Sequence, residues 1–278
     1  MLVSDVQASL DFHGTISIII PVLNEEKAIA KTLSEIPLKE LEKMGYKCEI
    51  LVVDGGSKDK TREIARKCGA RVIVEPRPGY GIAYKTGFAN ARGDIIATLD
   101  GDFSYPACFI PQLVKLLETG KYDFISTNRM ENFTKGSMSR VHLLGNKVLT
   151  YFTRVLFRVS LKDSQSGMWV FKKNLLDKVV LSAKGMSFSE EIKIVAFKFF
   201  RAAEFPIPYR KRIGKQKLRT VIDGLKNLAY LLNLRLFFSS LLNVPVPSNM
   251  MMLKAMVAYR NHPIQDPILL GMPRFKML

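Results

Sequence analysis

The sequence lacks the features that would indicate an extracellular disulfide framework or a thiolate metal centre. Its 278 residues include only three cysteines, Cys48, Cys68 and Cys108, an odd number without metal-binding spacing. We therefore expect reduced thiols in a reducing compartment. The amino terminus also lacks the basic and then apolar pattern of a signal peptide, so secretion is not predicted.

Two common phosphate-binding motifs are missing as well. No Gly-x-Gly-x-x-Gly joins a strand directly to its helix, and no Walker lysine motif is present. The three histidines, His13, His142 and His262, are isolated, and none pairs with a Cys or Ser in a catalytic pattern. Rossmann-type dinucleotide binding, P-loop chemistry and triad catalysis are therefore not predicted.

Long uncharged apolar runs are scarce. The longest candidate, residues 236–253, is interrupted by Pro245 and Pro247. Because proline breaks a helix, this run makes a poor membrane span, and we predict no clear transmembrane helix. Residues 221–278 are instead predicted to be an apolar, amphipathic and helical tail that lies on the membrane or packs on the domain.

Acidic residues are scarce in the second half of the chain. Residues 1–130 carry 17 Lys and Arg against 17 Asp and Glu, so the whole net charge of +17 belongs to residues 131–278. This asymmetry indicates a polyanionic partner, which could be nucleic acid, an anionic membrane surface or a phosphorylated substrate. The hydrophobic content of 47% is normal for a globular protein and argues against disorder.

Strand and helix patterns alternate through the first half. Strands are predicted at 16–20, 49–53, 71–74 and 95–99, with helices at about 24–36, 60–67 and 82–91 between them. Connections of this length require parallel strands with right-handed crossovers. We therefore predict an α/β fold with a doubly wound, mostly parallel sheet.

The most informative stretch is Ile95-Ile96-Ala97-Thr98-Leu99-Asp100-Gly101-Asp102, a buried strand that ends in two carboxylates. Charges do not continue into a dry core, so Asp100 and Asp102 should lie at the carboxyl edge of the sheet, where ligands bind in open α/β folds. Two oxygen ligands on one side of the chain suit Mg²⁺ or Mn²⁺. An ordinary solvated turn is the competing interpretation.

Two earlier strand ends should reach the same edge. Pro21, Asn24 and Glu25 follow the first strand, and Asp54 ends the second, before two glycines. Asn24 is also a plausible N-cap for the following helix. The glycines permit close approach of a ring or a ribose, and the Asp54 carboxylate can accept hydrogen bonds from N–H or hydroxyl groups.

Together these motifs resemble the family-2 glycosyltransferases of GT-A type. The resemblance rests on Pro21-Val-Leu-Asn24-Glu25, Asp54-Gly-Gly-Ser57, Arg77-x-Gly79-x-Gly81 and Asp100-Gly-Asp102, in matching order and spacing. It is strongest to the dolichyl-phosphate mannose synthase group and archaeal dolichyl-phosphate hexosyltransferases, and it extends over roughly residues 15–225.

The resemblance implies a nucleotide-sugar donor and a divalent metal, Mg²⁺ or Mn²⁺, held by Asp100 and Asp102. The implied donor-binding residues are Pro21, Asn24, Glu25, Asp54, Arg77, Gly79 and Asp100. The sequence departs from the family in two places. Gly55 stands where many relatives have a second Asp, and Ser104 stands where mannose-type synthases often have a glutamine that contacts the metal.

For the second half, the resemblance implies an acceptor phosphate bound by Arg129, Arg140, Arg212 and Lys217. A guanidinium recognises phosphate through two parallel hydrogen bonds, which lysine cannot copy. The implied catalytic residues are Asp102, Asp163 and Arg212. If a general base is used, Asp163 or Glu191 is the candidate. Trp169 stands where relatives often have Arg, and it is equally typical of a core residue or a sugar platform.

Residues 140–160 are predicted to form a long helix with basic residues on one face and apolar residues over much of the remainder. This pattern is typical of a helix at the membrane interface, and equally of a surface helix packed on the sheet. We predict a GT-A domain over 1–220, with a nucleotide-sugar half over 15–130 and an acceptor half over 131–220.

The leading hypothesis is an inverting transferase at the cytoplasmic membrane face, bound peripherally. It would move a hexose from GDP-mannose, UDP-glucose or UDP-GlcNAc to a polyprenyl phosphate such as dolichyl phosphate. A related transferase with a carbohydrate hydroxyl acceptor is the second hypothesis, and it would require a general base. The third is a non-enzymatic, basic protein that binds membranes or nucleic acid. Nucleic acid is not predicted as a partner, because no nucleic-acid motif or stacking pattern is present.

Overall fold

A computed structural model describes residues 13–131, 136–214 and 220–242 of the chain. Within these ranges, seven strands form one sheet that is covered by helices. The strands are β1 (Gly14–Val22), β2 (Tyr46–Asp54), β3 (Arg71–Val74), β4 (Ile95–Thr98), β5 (Phe124–Asn128), β6 (Trp169–Lys172) and β7 (Ala202–Pro206). The α-helices are α1 (Ile29–Ser34), α2 (Leu38–Lys43), α3 (Thr61–Lys67), α4 (Tyr80–Asn90), α5 (Ile110–Glu118), α6 (Arg140–Phe157), α7 (Phe188–Phe199) and α8 (Thr220–Leu242).

The strand order is β3-β2-β1-β4-β6-β5-β7. Neighbouring strands pair in parallel except β6, which runs antiparallel to both β4 and β5. The predicted α/β class with a mostly parallel sheet is confirmed. The strand at Arg71–Val74 has the predicted bounds, because its apolar residues are enclosed by Gly69 and Pro76.

Alternation along the strands divides the core between the two faces of the sheet. Ile19, Leu51 and Val53 face one cluster, which α4, α6, α7 and α8 cover. Ile18 and Val52 face the other, which α1, α2 and α5 cover. Because both faces are buried, the strands contain continuous apolar runs, as expected for parallel sheets.

Two local predictions have clear outcomes. Asn24 is not the N-cap of α1, which begins after Ala28; its side-chain oxygen instead accepts a hydrogen bond from the Lys58 N–H at 2.7 Å. A contact between two loops thus outweighs the local capping preference. Trp169 belongs to the core, fully buried, with its Nε1 donating to the Ser166 carbonyl at 2.8 Å.

The apolar tail contributes α8, which packs against α6. Leu231 and Leu234 are buried there, so this part of the tail packs on the domain. None of the helices in the described ranges is long and apolar enough to cross a membrane. Lys217, a predicted acceptor-phosphate residue, lies outside the described residues, as do residues 1–12 and 244–278. The division at residue 220 stays a prediction.

Candidate functional site

Asp100 and Asp102 lie just beyond β4, at the carboxyl edge of the parallel strands. Asp100 Oδ1 accepts a hydrogen bond from the Tyr80 hydroxyl at 3.0 Å. Asp102 Oδ1 accepts from the backbone N–H and the hydroxyl of Ser104, at 3.0 and 2.5 Å. Ser104, which replaces the glutamine of some relatives, therefore orients Asp102 directly.

These two carboxylates lie close enough to repel each other. Burial, and then the neighbouring Asp102 charge, raise the pKa of Asp100 to about 7. A cation between them would offset this repulsion. In the described residues no group of three or more His, Cys, Asp or Glu side chains could hold a metal, and this pair could supply at most two carboxylate ligands. Mg²⁺ commonly takes one or two carboxylates plus substrate phosphates, so the pair fits Mg²⁺ or Mn²⁺.

Gly101 allows the pair to approach β1. A Cβ on Gly101 would lie 2.6 Å from Val22 Cγ1, too close for a carbon contact. Any larger residue would move the carboxylates or the strand. The glycine between the two acids therefore has a packing function.

Arg212 connects the two halves of the site. Its Nη2 donates to Glu25 Oε1 at 2.9 Å, and its Nη1 lies 3.4 Å from Asp102 Oδ2. The Ile213 N–H also donates to the Asp102 carbonyl at 3.0 Å, which fixes this segment beside the edge. The structure therefore brings together three of the predicted site residues from distant parts of the sequence.

Asp54 is fully buried at the end of β2, next to Val22 of β1. Its Oδ2 accepts the N–H groups of Gly56 and Ser57 at 3.2 and 3.0 Å. Its Oδ1 is buried and has no hydrogen-bond partner among the described residues. An unpaired buried carboxylate oxygen is costly, so a ligand N–H or hydroxyl would find a strong acceptor here.

Asn24 makes two hydrogen bonds to the loop after β2. Its side-chain oxygen accepts from the Lys58 N–H, and its own N–H donates to Ser57 Oγ at 2.8 Å. Asn24 therefore joins the loops after β1 and β2. Its donor-binding role stays a prediction. Pro21, half-buried in β1 opposite Val53, lies beside this junction.

Arg77 and Gly79 are engaged with protein groups. Exposed Arg77 donates to both oxygens of Glu75 at 2.8 and 2.7 Å, and these hydrogen bonds lower the pKa of Glu75 to about 2. A Cβ on Gly79 would lie 2.3 Å from the Lys184 carbonyl oxygen. Gly79 thus lets this loop pack against residue 184. The donor-binding role of both residues stays a prediction.

Arg129 and Asp163 form a buried bidentate ion pair. Arg129 Nε and Nη2 donate to the two Asp163 oxygens at 2.7 and 2.9 Å, and the guanidinium lies 5.0 Å from the Tyr209 ring centre. Burial alone would raise the pKa of Asp163, but the Arg129 charge and hydrogen bonds outweigh it and lower this pKa to about 2. Asp163 is therefore an ionised partner of Arg129, which makes it a poor general base.

Glu191, the other candidate base, is also occupied. Its Oε1 accepts from the Ser182 N–H and from the Tyr230 hydroxyl, both at 2.8 Å, and its Oε2 accepts from the Ala183 N–H at 2.8 Å. These contacts attach α7 to α8 and to the segment before α7. The geometry gives Glu191 an anchoring role.

A cavity of about 350 Å³ opens beside Asp100 and Asp102. Four predicted residues line it, Asp100, Asp102, Arg129 and Arg212. Arg140 is exposed at the first residue of α6, directly after Ser139, which lines the cavity. Further lining residues that sequence analysis did not identify are Tyr80 of α4, Tyr105 after β4, Tyr209 after β7, Gln165 before β6 and Asn227 of α8.

Helix α7 carries two fully buried titratable side chains, Lys193 and Glu190. Lys193 is fully buried, with its Nζ donating to the Asp163 carbonyl at 2.7 Å, and burial lowers its pKa to about 7. Glu190 is also fully buried, and burial raises its pKa to about 8. Its Oε1 accepts from Gln165 at 2.5 Å. Sequence analysis had no signal for this set, because the acids at the start of α7 have the pattern of helix-dipole residues.

Comparison with known proteins gives a consistent result. Residues 17–180 match the profile of glycosyl transferase family 2. A low-salt glycan biosynthesis hexosyltransferase, Agl6, from Haloferax volcanii is 35% identical over 81% of this chain, although the alignment spans only 55% of Agl6. A dolichyl-phosphate hexose transferase of the same organism is 32% identical over 75% of this chain and 89% of its own length.

Solved structures show the same fold. Glucosyl-3-phosphoglycerate synthase from Mycobacterium tuberculosis, in complex with Mn²⁺, UDP and phosphoglyceric acid, has a TM-score of 0.63 and 25% identity, over 80% of this chain and 78% of that one. A complex of the same enzyme with Mg²⁺ and UDP has a TM-score of 0.63 over 80% and 79% of the chains.

Proposed function

Because the chain belongs to glycosyl transferase family 2, we propose that it is an inverting hexosyltransferase that moves a hexose from a nucleotide-sugar to a polyprenyl phosphate, such as dolichyl phosphate. The observation that carries this proposal is one cavity lined by two carboxylates, Asp100 and Asp102, and two arginines, Arg129 and Arg212. Such a cavity can hold a leaving diphosphate and an attacking phosphate together.

On the donor side, Asp54 and Glu25 would hold the nucleoside, with the unpaired Asp54 Oδ1 as the acceptor for a base N–H or a ribose hydroxyl. Asp100 and Asp102 would hold Mg²⁺ or Mn²⁺, as the carboxylate repulsion between them supports. When bound, such a cation supplies charge neutralisation for the leaving nucleoside diphosphate.

On the acceptor side, Arg129 and Arg212 would bind the lipid phosphate and orient one of its oxygens. That oxygen attacks the anomeric carbon and forms the new C–O bond. The bond from the anomeric carbon to the donor phosphate breaks, and its electron pair leaves with the nucleoside diphosphate. Attack opposite the leaving group inverts the anomeric configuration.

This acceptor needs no strong base, because a phosphate oxygen is already anionic at neutral pH. Two contacts support this choice over a hydroxyl acceptor. Asp163 is bound to Arg129, and Glu191 is bound to Ser182, Ala183 and Tyr230. Neither carboxylate is in a condition to take a proton from a sugar hydroxyl.

The exposed faces of α6 and α8 support a lipid-linked acceptor. On α6, the exposed apolar residues recur every three or four positions: Val141, Leu144, Val148, Tyr151 and Val155. On α8, Ile222, Leu225, Leu232 and Leu236 are exposed, at steps of three, seven and four positions. Basic residues Arg140, Lys147, Arg154 and Arg158 accompany the α6 stripe and are exposed. We propose that this surface lies peripherally on an anionic membrane, at its cytoplasmic face.

The transfer reaction is tested with a panel of UDP- and GDP-hexoses, Mg²⁺ or Mn²⁺, and two acceptors: a short polyprenyl phosphate and 3-phosphoglycerate. The expected result is a lipid-linked hexose from one donor. Transfer to phosphoglycerate alone would replace the lipid by a small phosphorylated acceptor, as the solved neighbours suggest. No product with any acceptor would contradict the proposal.

Membrane association is tested separately by vesicle sedimentation. The wild-type chain is expected to bind vesicles that contain anionic lipid, and the double variant Leu144→Asp, Val148→Asp is expected to lose most of this binding. Val74→Asp is the matched control, because Val74 is an exposed apolar residue on β3, away from both helices. Equal sedimentation of all three proteins would contradict this surface as the membrane face.

A further inference from the structure

Helix α8 lies beyond the part of the chain that matches the family, residues 17–180, yet it forms part of the cavity wall. Its residues Asp223, Gly224 and Asn227 line the cavity. Asn227 is 6% exposed, and its Nδ2 donates to Gln165 Oε1 at 3.3 Å. An element outside the matched domain thus presents a buried amide to the site.

The partner of this amide is itself fixed. Gln165 Nε2 donates to Ser164 Oγ at 2.9 Å and to Glu190 Oε1 at 2.5 Å. Both hydrogen bonds use the amide nitrogen, so the Gln165 oxygen is directed toward Asn227. The two amides therefore form an ordered polar pair, held from below by α7.

The pair lies between the two groups that would bind phosphates. Gln165 belongs to the loop 163–167, whose first residue, Asp163, holds Arg129. Its last residue, Gly167, approaches the metal-binding acids: a Cβ on Gly167 would lie 3.3 Å from Asp100 Oδ1. A group joined to a diphosphate at Asp100 would therefore lie beside Gln165.

The wall at this point suits a carbohydrate better than an isoprenoid. Asn146 of α6 lines the cavity with Gln165 and Asn227, so three amides face one compartment. Amides donate and accept hydrogen bonds, as sugar hydroxyls do, so side chains of this type suit a carbohydrate ligand. The same helices also provide room, because a Cβ on Gly145 or Gly224 would meet nothing within 4 Å.

We propose that this compartment binds the hexose that is transferred, and that Gln165 and Asn227 determine which hexose is accepted. The inference rests on the proposed function, since it assigns the sugar of the same donor. It places sugar selection partly on α8, outside the matched family domain. Nucleotide recognition would remain with Asp54 and Glu25, at the other end of the donor.

The test measures how much the hexose adds to donor affinity. Calorimetry gives the Kd of the nucleoside diphosphate and of its hexose conjugates, epimers included, for the wild type and for Asn227→Ala. We expect an unchanged Kd for the nucleoside diphosphate, and about a tenfold loss in affinity for the preferred hexose conjugate with reduced discrimination between epimers. Asn233→Ala is the matched control, because Asn233 lies on the same helix and is exposed.

Gly145→Val provides a second route that leaves both amides in place. The added side chain occupies the open space, so we expect the same selective loss of hexose affinity. If the hexose contributes as much to donor affinity in both variants as in the wild type, the inference is overturned. The proposed function is judged separately, by transfer in the wild type: a donor that binds through its hexose but is not transferred would contradict the transferase proposal while supporting the sugar compartment.

Discussion

The proposed donor and acceptor sides of the site are organised by different physical means. The proposed donor side, with Glu25, Asp54 and Asp102, follows strand ends and is held by loop hydrogen bonds. The acceptor side, with Arg129 and Asp163, depends on charges that are buried together, with Lys193 beneath them. Substitutions on the donor side should therefore reduce activity with little loss of stability, whereas substitutions on the acceptor side should reduce both.

Asp102→Ala tests the donor side and should have the largest effect. We expect sugar transfer to fall by roughly 10³-fold, because the variant loses one carboxylate at the diphosphate and its contact with Arg212. Thermal unfolding should change little, since removing one acid also relieves the repulsion that, together with the larger effect of burial, raises the pKa of Asp100. A large loss of stability, or full activity, would break the contrast between the two sides.

Arg129→Ala tests the acceptor side. It leaves the buried Asp163 carboxylate without its bidentate partner, so we expect the free energy of unfolding to fall by about 3–5 kcal/mol. Urea unfolding checks this value. Arg154→Ala is the control, because Arg154 is exposed on α6 and its removal should have little effect. Similar stabilities of the two variants would show that the buried pair is not what holds this side.

Glu190→Gln sharpens the contrast through pH. Burial raises the pKa of Glu190 to about 8, so the folded protein holds a proton there that the unfolded chain releases near pH 4.5. The stability from this neutral acid is therefore complete below pH 4.5 and is lost as the pH rises toward 8. The free energy of unfolding of Glu190→Gln, relative to that of the wild type, should therefore rise by up to about 1.4 kcal/mol per pH unit between pH 5 and 7.

Urea unfolding of both proteins at pH 5, 6 and 7 measures this difference directly. Glu204 and Lys193 titrate nearby and remain in both proteins, so the difference between the two proteins reports on Glu190 and on its electrostatic interaction with Lys193. Parallel stability curves would mean that Glu190 is ionised in the folded protein. Its contact with Gln165 would then involve a charged acceptor.

The residues of the proposed donor side could be predicted from the sequence because the patterns that identify them are local. Apolar runs that end in Asp54 or Asp100 predict both a strand and the edge at which it ends, and parallel pairing then brings the ends together. The sheet confirmed this pattern for β1 to β4. Asn24 was the exception, because its partner Lys58 lies 34 residues away and no local rule includes it.

The acceptor side was predicted only in part, because its contacts depend on tertiary pairing. Arg129 and Asp163 were both candidate site residues, but their ion pair joins the end of β5 to the loop before β6. The antiparallel course of β6 creates this proximity, and spacing along the chain does not predict it. The contact of Asn227 with Gln165 likewise needed the packing of α8 against the domain.

The reversal of β6 has a consequence for how such a protein could be re-engineered. The chain leaves β4 and β5 at the functional edge, whereas it enters the antiparallel β6 there. The segment 163–167, which precedes β6, therefore lies at this edge. The Thr98 hydroxyl fixes this entrance, donating to the Gly167 carbonyl and accepting from the Trp169 N–H, both at 2.8 Å. A loop grafted upstream of this anchor could change the cavity wall at Gln165 while the register of the parallel strands is preserved. The segment 163–167 could therefore be exchanged while the parallel strands beside it stay unchanged.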